Sequence, residues 1–152
     1  MLLKSREGSV KTMESGPIDR LSALDRLMLW ASKRWPQDIG ALAYLDGTAL
    51  IDEIGRFRIE AVREAVGARL HLAPRFRQAI RTPQKGLGGP LWVDVARVDL
   101  PDHVRVHPLP VGSGEAEVLD AIEEIRSRRL DPSRPLWEVW FGDGAVADAT
   151  AR

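Results

Sequence analysis

His103 and His107 stand four residues apart, a spacing that on a helix would let both imidazoles bind one metal ion. Their setting argues otherwise. Val104 and Val106 alternate with His103, Arg105 and His107, and that period of two predicts a strand over residues 103–109. On a strand the two imidazoles share a face but lie about four rises of 3.3 Å apart, too far for one ion without a bend. The chain has no cysteine and no nearby glutamate completes a ligand set, so no metal site is expected. His71 ends a helical pattern, where an exposed imidazole suits the helix dipole, and it has no visible catalytic partner. Arg75 and Arg77 flank Phe76 and together could hold a phosphate, since guanidinium suits bidentate anion binding. Solvated or ion-paired arginines on an exposed face are the simpler reading. The run Lys85-Gly86-Leu87-Gly88-Gly89-Pro90 lacks the Gly-Lys-Ser/Thr ending of a phosphate loop and leads into a strand rather than a helix. It predicts a hairpin-like turn.

The whole chain sets bounds on these readings. Its 152 residues suit one domain or part of a larger one, and a domain of that size buries about 68–70% of its unfolded surface. Lys+Arg and Asp+Glu are both 22, so the net charge is zero and nothing in the overall charge points to nucleic acid. Absent cysteines exclude disulfides, zinc–thiolate sites and a thiol nucleophile, and are compatible with the cytoplasm. The N-terminus has no apolar signal region, and no window approaches the ~20 apolar residues of a spanning helix. Contact with lipid, if it occurs, is therefore expected to be peripheral.

The elements that would position these side chains follow from periodicity. Residues 1–19 are polar and aperiodic and read as a disordered lead-in, with Met13 a second candidate start. Ser22-Ala23-Leu24-Asp25 reads as a capping box opening a helix whose Leu24, Leu27, Met28 and Ala31 form an apolar face, expected in the core; Pro36 ends it. Residues 39–45 read as a buried strand before the Asp46-Gly47 turn. Ile59, Val62, Val66 and Leu70 predict a helix over 58–72. Residues 74–80 read as a half-buried strand and 91–95 as another. Pro101, Pro108 and Pro110 place the 103–109 strand at an edge or cut it short. Val118, Ile122 and Ile125 stripe a helix over 115–129, with acids in its first turns and bases in its last. Asp131-Pro132-Ser133-Arg134-Pro135 then forces an extended connection into an apolar strand holding Trp137 and Trp140.

Five of these segments carry a resemblance. Leu21-Ser22-Ala23-Leu24-Asp25, Pro74-Arg75-Phe76-Arg77-Gln78, Trp92-Val93-Asp94, His103-Val104 and Ser133-Arg134-Pro135-Leu136-Trp137-Glu138 occur in the order found in the N-terminal region of bacterial wax ester synthase/diacylglycerol acyltransferases. The likeness runs from about residue 20 to residue 141, and the Pro-Leu-Trp element is its strongest part. It implies an α+β fold: a partial CoA-dependent acyltransferase-like (chloramphenicol acetyltransferase-like) half-domain with a mixed sheet and about three helices. The implied limits are 1–19 lead-in, 20–141 acyltransferase-like segment and 142–152 irregular tail. The resemblance also implies a chemistry, in which the second His of a His-His-x-x-x-Asp-Gly motif removes the proton of a fatty alcohol or diacylglycerol hydroxyl as it attacks an acyl-CoA thioester.

Here the sequence departs from the family. No histidine follows His107, and Phe141 is succeeded by Gly142-Asp143-Gly144. Ala145-Val146-Ala147-Asp148-Ala149 resembles the end of the motif, with Asp143 and Gly144 where its histidines belong, a likeness we read as compositional. The expectation is an N-terminal segment of an acyl-CoA-dependent O-acyltransferase with no catalytic residue, metal or cofactor of its own. His103 matches a family position that is not the base. Pro135, Leu136 and Trp137 are assigned to structure, setting the entry of the last strand and packing against the helix before it, or else to the mouth of an acyl channel. Acyl-CoA and an alcohol or diacylglycerol are the expected substrates of the complete enzyme, in the cytoplasm, peripheral to membrane or lipid droplets. The alternatives are a non-catalytic module that pairs with a separate second-half polypeptide, and a remnant of a truncated gene.

Overall fold

The computed structural model describes residues 19–32, 34–35 and 38–145. The expected lead-in therefore lies outside the described residues except for Asp19, which pairs with Trp92. Helix α1 (Ala23–Ala31) opens with the expected capping box: the Asp25 N–H donates to Ser22 Oγ at 3.1 Å, and the Ser22 N–H donates to Asp25 Oδ2 at 2.9 Å. The expected burial of α1 is overturned. None of its residues is buried, and Leu24, Leu27 and Trp30 are 67%, 58% and 63% exposed. Periodicity marks an apolar face but does not supply the element that would cover it. The strand expected over residues 39–45 is likewise absent: the segment is irregular, and Ile39 is 97% exposed. An apolar run becomes a strand when a ladder partner satisfies its backbone.

Helix α2 (Ile59–Gly67) is shorter than expected. It stops at a glycine, which is costly inside a helix, and the chain continues as a 3-10 turn at Leu70–Leu72. A Cβ on Gly67 would lie 2.8 Å from Leu100 Cδ1, so a larger residue there would make the Leu100 side chain shift. Residues 74–77, expected in a strand, form a second 3-10 turn with Pro74 in its first turn, where proline's fixed φ fits. The strand begins only at β2 (Gln78–Arg81), antiparallel to β3 (Leu91–Asp94) across the glycine-rich turn. Gly86 and Gly88 take the positive φ values, 95° and 111°, that this hairpin connection needs. Strand β1 (Asp19–Arg20) completes the sheet in the order β1-β3-β2.

The short helix α3 (Leu100–His103) takes His103 out of the expected strand, which starts one residue later as β4 (Val104–Ser113). β4 is not cut short at Pro108; a register irregularity between Pro108 and Ser113 accommodates the prolines. Helix α4 (Glu115–Ser127) crosses over to β5 (Val139–Ala145), which runs parallel to β4 with Val104 opposite Val139. β5 passes the expected end of the ordered segment at Phe141. The single mixed sheet expected is instead two sheets, one antiparallel and one parallel.

Two apolar clusters hold these layers together. Leu21, Ile80 and Trp92 form one, with Leu29 and Leu136 against it. Val62, Val104 and Trp137 form the other, with Phe57, Val66, Leu100 and Phe141 among its neighbours. Leu136 packs against the first cluster, and its neighbour Trp137 belongs to the second. The connection before β5 thus joins the two clusters. The Ile80 N–H donates to Pro132 O at 3.2 Å, and Arg81 donates to Ser133 O at 2.8 Å, which ties the connection to β2.

Candidate functional site around Trp137

Pro135 and Trp137 are buried and Leu136 is half-buried. The Trp137 ring stacks with His103, ring centres 4.6 Å apart, and with Phe76 at 5.3 Å. Its indole N–H donates to Phe76 O at 2.9 Å. In return, Trp137 O lies 2.8 Å from His103 Nδ1. A carbonyl only accepts, so Nδ1 carries the proton and Nε2 is the nitrogen left without it in the neutral ring. The three rings come from the 3-10 turn before β2, the end of α3 and the connection before β5. Leu136 packs against the cluster of Leu21, Ile80 and Trp92, and Trp137 belongs to that of Val62 and Val104.

The two strand histidines part company. His103 is buried at the end of α3, while His107 lies on β4 opposite Gly142, edge-on to Trp140 with ring centres 6.3 Å apart. They do not share a strand face, because only His107 is on the strand. Among the described residues, no group of three or more His, Asp or Glu side chains is placed to hold a metal ion. Trp140 lies on the opposite side of β5 from Phe141, with the Arg105 guanidinium 4.3 Å and that of Arg128 6.0 Å from its ring centre.

The arginine pair also divides. Arg75 stacks over Trp92 at 4.5 Å, donates to Gln78 Oε1 at 2.8 Å and pairs with Asp19 at 3.8 Å. It fits the structural reading. Arg77 pairs with Asp94 at 3.9 Å, but its buried Nε has no hydrogen-bond partner among the described residues. Arg77 instead lines a cavity of about 380 Å³ shared with His71 and Arg97. Arg97 is marked in the sequence only as a cation inside the apolar run Val95-Ala96-Arg97-Val98. A more open cleft of about 540 Å³ lies along Ile51–Arg58.

Four carboxylates among the described residues, Asp25, Asp46, Asp52 and Asp131, are held below the ordinary range. The Ser22 backbone N–H is the main cause at Asp25, supported by the Ser22 hydroxyl, the Trp92 indole and the Arg75 charge. The Ser133 N–H is the main cause at Asp131, where it fixes the turn through Pro132.

Comparison with known proteins places this arrangement in a wider context. A family model for the wax ester synthase/diacylglycerol acyltransferase catalytic domain matches residues 21–151. A probable diacylglycerol O-acyltransferase of Mycobacterium tuberculosis, tgs1, is 39% identical over 111 residues, which cover 73% of this chain and 22% of the relative. A second from the same organism, tgs3, is 38% identical over 85 residues, covering 56% of this chain and 31% of the relative. A solved wax ester synthase/diacylglycerol acyltransferase from Marinobacter aquaeolei VT8 aligns with a TM-score of 0.58 and 22% identity, over 85% of this chain and 30% of that one. The chain therefore spans between about a fifth and a third of the length of these proteins.

Proposed function

Because this chain belongs to the wax ester synthase/diacylglycerol acyltransferase family, we propose that it forms the N-terminal part of an acyl-CoA-dependent O-acyltransferase and does not transfer acyl groups by itself. The supporting observation is the state of His103. Its ring is buried, its Nδ1 is committed to Trp137 O, and it ends a short helix that enters β4. Those are the contacts of a structural histidine. A general base must instead reach the hydroxyl proton it removes. Among these 152 residues no histidine follows His107.

In this reading Pro135, Leu136 and Trp137 fix the entry of β5. They hold the two apolar clusters in register, so the half-domain of the chloramphenicol acetyltransferase-like fold presents its strands correctly to the rest of a channel. Acyl-CoA with a fatty alcohol or diacylglycerol are the substrates of the complete enzyme. The chain would act in the cytoplasm and meet lipid from the surface; no helix among the described residues is long and apolar enough to cross a membrane.

A second reading, a non-catalytic module paired with a second polypeptide, is supported by the apolar surface of α1 and residues 39–45. Leu24, Leu27, Trp30, Ile39 and Leu45 are more than half exposed there. Exposed apolar side chains of this number are what an interaction site would offer a partner.

A chimera tests the primary reading. This chain replaces the matched 111-residue segment of the M. tuberculosis relative tgs1, and acyl transfer from a long-chain acyl-CoA is measured. Retained transfer is expected. A folded chimera without transfer contradicts the proposal.

A further inference from the structure

Three basic side chains from separate segments meet at the cavity of about 380 Å³ beside β2. His71 comes from the turn after α2, Arg77 from the turn before β2 and Arg97 from the connection between β3 and α3. Leu70, Val98 and Leu100 supply apolar wall, and no acidic side chain is among the lining residues. The volume lies within the range of about 300–1,000 Å³ usual for small-molecule sites.

The arginines elsewhere in the fold show what a structural role looks like. Arg63 donates to Val104 O, Arg81 to Ser133 O, and Arg134 pairs with Asp102 and Asp131. The cavity arginines differ. Arg97 and His71 make no side-chain hydrogen bond or ion pair among the described residues. Arg77 has an ion-pair partner in Asp94, but at 3.9 Å this is no hydrogen bond, and its buried Nε has no acceptor. A buried donor without an acceptor is costly and calls for an explanation.

Charge bookkeeping favours an anion. Two guanidiniums face one carboxylate, Asp94, and the C-terminus of α2 at Gly67, which carries roughly half a negative charge. The two guanidiniums alone leave the cavity positive. Guanidinium forks match phosphate oxygens two at a time, and the imidazole adds a third donor.

We propose that this cavity binds a phosphate-bearing anion, with Arg97 and Arg77 as its main ligands and His71 as a further donor. The proposal stands apart from the acyl-transfer reading, since it needs only these side chains. Three probes separate the sources of the phosphate: inorganic pyrophosphate, coenzyme A, and vesicles containing phosphatidic acid. Binding to the full chain is measured by titration calorimetry for the first two and by co-sedimentation for the third, at fixed ionic strength. Arg97→Gln removes an exposed, unpartnered side chain and leaves the fold intact, which a cooperative melt verifies. It is expected to weaken binding about tenfold or more, from the loss of charge-assisted hydrogen bonds. Arg77→Gln should weaken it similarly, and Arg26→Gln on α1, outside the cavity, should not. Preference for coenzyme A or for vesicles names the source and supports the site. No binding of any probe, or equal weakening by Arg26→Gln, overturns it and leaves these cations as partners of the α2 terminus.

Discussion

His103 Nδ1 donates to Trp137 O across 2.8 Å while the two rings stack with centres 4.6 Å apart. Two residues 34 positions apart are thus joined by both a polar and an aromatic contact. Together they join α3 to the entry of β5. The two substitutions that separate these contacts should have different costs. His103→Phe keeps a ring against Trp137 but leaves a buried carbonyl unpaired, at about 1–3 kcal/mol. His103→Ala also removes the ring and opens a cavity, and should cost more. Urea unfolding of both variants checks the order; equal stability to the parent chain would show that His103 is free for another role.

Trp137 belongs to the same unit and should be the more sensitive position. Its indole N–H reaches Phe76 O, and its ring fills the cluster of Val62 and Val104. Trp137→Ala is expected to destabilise the fold by about 3–5 kcal/mol. Trp137→Phe keeps much of the packing but strands Phe76 O, at about 1–3 kcal/mol. Denaturation midpoints measured by circular dichroism test both figures.

Much of this fold was legible in the sequence, and the misreadings share a cause. The capping box at Ser22, the apolar stripes of α2 and α4 and the glycine turn before β3 are local signals, and each gave the right element. The strand expected at Ile39 and the burial expected for Leu24 and Leu27 depended on partners distant in the chain. Periodicity says which face is apolar, not what lies against it. His103 was assigned to a strand because Val104 and Val106 alternate, yet Pro101 in the first turn of α3 favours a short helix there. Of the candidate site, Trp137 could be named from sequence, but its pairing with Phe76 and His103 could not.

Acid sensitivity should follow from Asp25 and Asp131. Hydrogen bonds from Ser22 and Ser133 hold their carboxyls below the ordinary value of 3.8. A carboxyl whose folded pKa is lowered stabilises the fold above its unfolded pKa and loses that contribution as pH falls through the folded value. Melting temperature should therefore decline as pH drops to 3.8 and below. Asp25→Ala should flatten that decline and, by removing half of the capping box, cost about 1 kcal/mol near neutral pH. Melts across this range check it, and an unchanged acid limb in the variant would contradict the assignment.

The exposed face of α1 should behave as a surface in this chain. Leu24→Ser and Trp30→Ser are expected to change stability by no more than about 0.5 kcal/mol, unlike substitutions in a core. They should also reduce self-association, seen as a lower average mass in sedimentation velocity. A loss of several kcal/mol would mean that the face is covered after all.

The proposed function predicts that this chain transfers no acyl group by itself. Purified chain is mixed with a long-chain acyl-CoA and either hexadecanol or diacylglycerol, and free coenzyme A is followed with a thiol reagent. Release no faster than without protein is the expected result. Sustained release that disappears on changing His103 or His107 would contradict it.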